Sequence, residues 1–397
     1  MSQKLINRNP DLKRLRDEGY EIEVSNGYLL AHSIPYVNGS KQIQLGTLVS
    51  ELSLAGDATT KPGTHVIYFK GEFPCSYQGV PIEQIRHASS KQKLAAAIEV
   101  DHSFSNKPAT GYRDYYEKIT QYVMILSHPA KALDDTADPR TFKPIAGSDC
   151  NSVFKYIDTA SSRAGIQAIS EKLSSQRIAI VGLGGTGSYI LDFVAKTPVQ
   201  EIHLFDEDDF LSHNAFRAPG AASFEELCQT RKKVDYFAGI YSRMHSGVVA
   251  HPQKILTENV LDLTEFDYIF LCIDSGPCKK TIIDALSTSN CVLIDAGIDV
   301  QLVEQMLLGT CRVTTCTKSK NDHIFSRISM GDNFEDGAYA SNIQIAELNA
   351  FNACLAVIKW KQLSGFYQDL EREYHITYST NCALLDTGDK YNENTTI

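Results

Sequence analysis

A short apolar run, Ile178-Ala179-Ile180-Val181, is followed at once by Gly182-Leu183-Gly184-Gly185-Thr186-Gly187-Ser188. Four consecutive apolar residues with no alternation suit a strand buried on both faces of a parallel sheet. Gly182, Gly184 and Gly187 stand in a G-x-G-x-x-G pattern, and apolar residues at helical spacing, Ile190, Leu191, Phe193 and Val194, follow over Ser188–Lys196. Strand, tight glycine turn, helix is therefore the predicted order. Glycines let the backbone turn sharply and come close to a phosphate, and the free N–H groups of the helix start face it. A second strand, Glu201–Phe205, ends in Asp206, about 20 residues past the last glycine, where a ribose-binding acid belongs. The plainer alternative is a glycine turn that only packs helix on sheet.

The pattern around this turn alternates strand and helix, which predicts a parallel sheet flanked by helices, an α/β Rossmann-like core. Strands are expected near Ile178–Val181, Glu201–Phe205, Val248–His251, Tyr268–Ile273 and Val292–Asp295. Helices are expected near Ser188–Lys196, Arg231–Met244 and Cys278–Ser287, with another over Ser162–Leu173 leading into the glycine strand. Met306–Thr315 reads as a strand, Thr317–Tyr339 as polar and loop-rich, and Ser341–Leu363 as a long helix with Asn342 near its cap.

Upstream, Asn9 and Pro10 open a short charged helix, and Asn26-Gly27 joins two strands across Glu21–Val37 as a hairpin. His65–Phe69 is a further strand, Ser76–Pro108 is polar with loop signals, and Tyr112–Leu126 is helical. The domains expected are a smaller α+β domain over residues 1–150 and the Rossmann-like α/β domain over 151–397, with a crossover segment near 316–340.

The chain has 397 residues and a net charge of -10, which argues against a nucleic-acid backbone as main partner. Its ten cysteines contain no C-x-x-C pair, so paired zinc knuckles are not supported. Scattered cysteines without a signal peptide suit a cytoplasmic protein with reduced thiols. No apolar stretch approaches the roughly 18 residues of a membrane helix.

Beyond the turn the chain carries Asp206-Glu207-Asp208, Asn214, Arg217, Lys233 at a helix start, and Asp274 at a strand end. A dehydrogenase has no use for that set, whereas in-line attack of a carboxylate on an α-phosphate needs cations on the phosphates and a carboxylate for Mg²⁺. The ordered set resembles the ThiF/MoeB family, the adenylating core of ubiquitin-activating enzymes, over roughly Arg163 to Gly365. The resemblance implies ATP and Mg²⁺ as cofactors. It implies that Gly182, Gly184, Gly185, Gly187 and Ser188 surround the nucleotide and that Asp206 binds ribose beside Asp208. Asn214, Arg217 and Lys233 would hold phosphates, and Asp274 would sit near Mg²⁺ and the attacking carboxylate. It also implies a homodimer in which an arginine crosses to the partner's nucleotide site, and Arg163 matches that residue in position. Taken singly these residues have mundane readings: Asp206 a strand-end cap, Arg217 and Lys233 solvated cations, Asp274 a helix cap.

The sequence departs from the family in lacking the two C-x-x-C pairs. Many members also carry a thioester-forming cysteine in the crossover loop. Cys316 is the matching candidate, with Lys318 and Lys320 near in sequence to lower its pKa, against a reading of Cys311 and Cys316 as buried strand residues. The N-terminal Gly71-Glu-Phe-Pro-Cys75 and Asp101-His-Ser-Phe-Ser-Asn-Lys-Pro108 resemble a bacterial group found beside ubiquitin-like proteins, whose first domain is read as ubiquitin-conjugating-enzyme-like. Cys75 with His87 or His102 is then a thioester-transfer candidate, and otherwise a buried thiol with loop histidines; a zinc site from the three matches no known signature. The expected activity is adenylation of the glycine-ending tail of a ubiquitin-like protein, with a conjugating enzyme as a further partner. The competing readings are a small-molecule or tRNA adenylating enzyme, an NAD-binding oxidoreductase, and a non-catalytic nucleotide-binding scaffold.

Overall fold

The computed structural model describes residues 2–95, 97–144, 152–330 and 343–391. The chain divides into two compact units, one of residues 1–152 with 156–165 and one of 153–155 with 166–397.

In the first unit six antiparallel strands form one sheet, in the order Glu21–Ser25, Tyr28–Val37, Ile43–Glu51, Val66–Lys70, His102–Ser105, Arg86–Ala88. The opening hairpin turns at Asn26 (φ 49°) and Gly27 (φ 79°), the two positive values that its tight turn demands. Asp114 caps the helix Tyr115–Leu133 by accepting the Glu117 N–H at 2.8 Å. That helix lays Tyr115, Ile119, Tyr122 and Leu126 against Leu29, Phe69 and Phe104 of the sheet. The polar stretch expected to be loop instead contains the strands Arg86–Ala88, Gln92–Ala95, Ile98–Val100 and His102–Ser105. Each is only three or four residues long, so periodicity had little to act on. His102–Ser105 pairs with the distant strand Val66–Lys70, Phe104 opposite Ile67, while Gln92–Ala95 and Ile98–Val100 pair with each other.

The second unit holds an eight-stranded sheet in the order Val248–His251, Glu201–Phe205, Arg177–Val181, Tyr268–Leu271, Val292–Val303, Met306–Cys316, His375–Ser379, Leu384–Gly388. The first five strands run parallel and the last three pair antiparallel. Alternate residues of the central strand bury on opposite faces. Ile178 and Ile180 meet Ile190, Leu191, Val194 and Trp360, while Ala179 and Val181 meet Ile269, Leu271, Ile282 and Leu293. From the central strand the chain first steps outward to Glu201–Phe205 and later to the other side at Tyr268–Leu271. The carboxyl ends of Arg177–Val181 and Tyr268–Leu271 thus flank a topological switch point, where open α/β sheets bind ligands.

Several expected elements have different limits. The approach helix is broken by Gly165 in the left-handed region (φ 71°), between Thr159–Ala164 and Gln167–Ser170. The strand expected to end at Asp295 runs on to Val303 and turns straight into Met306–Cys316 as a hairpin. The long helix spans Ala346–Leu363; Asn342 and residues 331–340 of the expected crossover segment lie outside the described residues. The strands His375–Ser379 and Leu384–Gly388 were not foreseen. No helix among the described residues is long and apolar enough to cross a membrane.

Candidate nucleotide site

The glycine turn is shaped by close approaches. Gly182 takes φ 91°, and a Cβ there would stand 2.6 Å from the Cys272 carbonyl oxygen. At Gly187 a Cβ would lie 1.9 Å from the Gly182 oxygen, so only glycine lets the turn fold back on itself. Gly185 is crowded by Asn349, with a Cβ only 2.2 Å from its Nδ2, whereas Gly184 faces open space. The helix Gly185–Val194 then begins with Gly184 as its N-cap, so the free N–H groups of its first turn border the space beside Gly184. Ser188, expected at the nucleotide, is fully buried and donates its hydroxyl to the Gly185 carbonyl at 2.8 Å, so it supports the turn from inside.

Asp206 follows the strand Glu201–Phe205. Its Oδ2 accepts the Leu183 N–H at 2.7 Å and its Oδ1 accepts the Asp208 N–H at 2.9 Å. The carboxylate thus ties the glycine turn to the end of the neighbouring strand, and spare lone pairs on both oxygens remain for a hydroxyl donor. Lys233 opens the helix Lys233–Tyr241, and its Nζ lies 2.6 Å from Asp208 Oδ2 and 3.5 Å from Asp206 Oδ1. The Asp206 and Lys233 side chains are each 8% exposed, whereas Asp208 is 66% exposed. Lys233 is therefore a buried cation held between carboxylates.

Asn214 is buried, and its Oδ1 accepts the Leu211 N–H at 2.9 Å, closing the short helix Ser212–Ala215 that carries the chain to Arg217. The buried Nε of Arg217 has no hydrogen-bond partner among the described residues. A desolvated guanidinium N–H without an acceptor is costly, and an anion is its natural complement. Asp274 is exposed in the turn after Tyr268–Leu271, just before Ser275 caps the helix Gly276–Leu286. Thus Asp206, Asp274 and the glycine turn all lie at the carboxyl ends of adjacent parallel strands. Arg163 belongs to the first unit, exposed in the last turn of Thr159–Ala164 beside a cavity of about 240 Å³ that Tyr20 and Tyr156 also line.

The cysteine candidates are placed otherwise. Cys316 is the last residue of its strand, opposite Leu293, 8% exposed within a cluster that includes Leu263, Ile269 and Ile324. Burial pushes its thiol up to about 11, the reverse of an activated nucleophile. Lys320 pairs with Asp322 at 2.6 Å, and Lys318 reaches Asn290. The geometry favours the core reading of Cys316 over that of a nucleophile. Cys75 is buried too, donates to the Phe73 carbonyl, and has its thiol raised by burial and by the Glu72 charge. His87 pairs with Ser103, and the His102 ring stacks beside Phe104; no hydrogen bond joins either ring to Cys75 among the described residues. No group of three or more metal-ligating side chains occurs among the described residues. Cys316→Ala is expected to lower stability by about 1 kcal/mol, the cost of a small cavity. Chemical denaturation measures that loss.

Two constellations escaped sequence reasoning. Asn349, fully buried in the helix Ala346–Leu363, accepts the Thr186 hydroxyl at 2.8 Å and fills the space beside Gly185; Asn352, one turn on, donates to the Gly297 carbonyl. Two asparagines three apart in the first half of the helix were the available signal, since Asn is a poor helix former. The second is Asp295, wholly buried between Lys279 and Arg312, and announced only by an acid in the apolar run Val292-Leu-Ile-Asp-Ala.

A family model described as "ThiF family" matches residues 159–358, and one described as "Domain of unknown function (DUF6791)" matches residues 10–159. Solved structures that the chain matches include E. coli MccB with MccA-N7isoASN, at 15% identity and a TM-score of 0.45 over 57% of this chain and 68% of that one. Another is selenomethionine PaaA, at 14% identity and a TM-score of 0.46 over 69% and 86% of the two chains. No curated protein matches the chain.

Proposed function

The chain belongs to the ThiF family, and from that premise we propose that it uses ATP to adenylate a carboxylate, specifically the C-terminal carboxylate of a ubiquitin-like protein with a glycine-ending tail. The observation that supports this reading is the placement of an open glycine turn, Asp206 with the Lys233 ammonium beside it, and the exposed Asp274 at the carboxyl ends of adjacent parallel strands, together with a buried Arg217 Nε that has no hydrogen-bond partner among the described residues.

In this reading the helix start at Gly184–Gly185 and the cations Arg217 and Lys233 hold the phosphates, with Asn214 fixing the turn that presents Arg217. Asp206 takes the ribose. A substrate carboxylate oxygen attacks the α-phosphorus in line, a new P–O bond forms, the bond to the bridging oxygen breaks, and pyrophosphate leaves with its charge spread over Arg217 and Lys233. One accessible carboxylate suits Mg²⁺, which keeps most of its waters and takes one or two protein carboxylates together with phosphate oxygens. Asp274 would hold it, and the ion would supply charge neutralisation at the phosphates. The buried, raised thiols of Cys316 and Cys75 support direct transfer from the adenylate to an acceptor. A homodimer accompanies the reading, supported by the exposed apolar residues Ile169, Phe351 and Ile358 on helices of the second unit. The ubiquitin-conjugating-like reading of the first domain, and Arg163 acting across the dimer, belong to the same proposal.

The test separates ATP from NAD. ATP with Mg²⁺ at about ten times its Kd is expected to stabilise the protein by ~1.4 kcal/mol, seen as a raised melting temperature. NAD at the same concentration is expected to leave the melting temperature unchanged. Stabilisation by NAD alone would overturn the reading in favour of an oxidoreductase.

A further inference from the structure

Asp295 is an acid with no exposed surface, placed in the strand Val292–Val303 where its parallel pairing with Tyr268–Leu271 ends. Lys279 Nζ lies 2.6 Å from its Oδ1, and Arg312 Nη2 lies 2.8 Å from its Oδ2. Desolvating such a group is expensive, and apolar residues of equal volume commonly serve stability as well or better. The trio therefore calls for a reason beyond holding the core together.

Its position supplies one. Asp295 pairs in register with Leu271, the last residue of the strand that leads into the Asp274 turn. Lys279 sits on the helix Gly276–Leu286 that begins directly after that turn. On the other side, Arg312 uses its second terminal nitrogen to donate to the Arg327 carbonyl at 2.6 Å, at the end of the short helix Ile324–Arg327. The fork geometry of guanidinium lets one side chain grip Asp295 and Arg327 together, which a lysine's point charge does not do. Gly297 keeps the space for it, since a Cβ there would stand 2.8 Å from Arg312 Nη2.

We propose that Asp295 is a positioning residue that links the Asp274 turn, through Lys279, to the helix Ile324–Arg327, through Arg312, so that nucleotide bound at Asp274 also orders that helix. The proposal rests on the adenylation reading for what binds at Asp274. The path consists of direct ion pairs and one hydrogen bond, and each link has a single geometry to lose.

The experiment is amide hydrogen exchange on the full chain, with and without ATP and Mg²⁺, read over residues 272–282 and 324–330. In the wild type, nucleotide is expected to slow exchange by about fivefold or more in both stretches. In Arg312→Lys, which keeps the charge beside Asp295 but loses the reach to Arg327, slowing is expected to persist over 272–282 and vanish over 324–330. ATP affinity should change by no more than the coupling factor itself, about fivefold. Gly297→Ala displaces the guanidinium while keeping every charge, and is expected to give the same split; it decides the matter if Arg312→Lys fails to fold. Protection over 324–330 that survives in a folded variant, or never appears in the wild type, overturns the proposal. Absence of protection over 272–282 in the wild type instead removes the ATP reading, and this inference with it.

Discussion

Asp274→Ala is expected to lower ATP–pyrophosphate exchange, measured with the cognate ubiquitin-like protein, by about 10²–10³-fold, the usual cost of one charge-stabilising contact at a phosphoryl centre. The side chain is exposed in a turn, so its loss opens no core cavity and the melting temperature of the free protein is expected to hold. ATP binding is expected to fall much less than exchange, because the glycine turn, Arg217 and Lys233 remain. This split distinguishes a group that acts on the transition state from one that merely binds. Exchange at the wild-type rate in a folded Asp274→Ala protein would remove Asp274 from the chemistry.

Lowering the pH from 7 to 5 is expected to destabilise the second unit by about 2 kcal/mol through His375 alone. His375 is 7% exposed, pairs through Nδ1 with the Thr314 hydroxyl at 3.0 Å, and has its pKa pushed down to about 4 by burial, with the Arg327 and Arg312 charges adding to the effect. The folded value lies below the ordinary 6.5, so the unfolded chain binds the proton first as pH falls. The stabilisation is therefore full above about pH 6.5 and drains away toward pH 4. His203, His245, His251 and His323 are all lowered by burial as well, so they act in the same direction. Depressed carboxylates such as Glu201 lose their contribution only at lower pH, below the ordinary value of 4.5. Melting curves across this range measure the slope, and His375→Gln is expected to flatten it. A melting temperature that is level between pH 7 and pH 5 would show that these rings stay accessible to protons in the folded state.

The parallel core was legible because its signals are local. The run Ile178–Val181 ends at a glycine that must take a positive φ, and the strand ends bearing Asp206 and Asp274 follow from the short runs Glu201–Phe205 and Tyr268–Leu271. The elements that went unread are short, and it is pairing with a neighbour that makes them strands. Arg86–Ala88 has three residues and is a strand only because His102–Ser105 lies beside it. His375–Ser379 is an added strand on the edge that Met306–Cys316 offers. In the candidate site, the direction of each side chain was not readable in the sequence. Ser188 lies on the inner side of its helix, where its hydroxyl meets its own backbone, and Cys316 ends its strand facing the core. Lys279, Asp295 and Arg312 each look ordinary in sequence and become a unit only when three elements meet.

The contact between Thr186 and Asn349 joins residues 163 positions apart. Every glycine of the turn has left the ribosome long before the helix that bears Asn349 is made. A nascent chain therefore carries the complete glycine turn without the wall that gives Gly185 its surroundings. Closing so long a loop comes late, because its entropic cost must be met before the contact rewards it. The wall around Gly185 is thus among the last features of the second unit to mature, and on the proposed reading ATP is expected to stabilise finished molecules and not early folding intermediates.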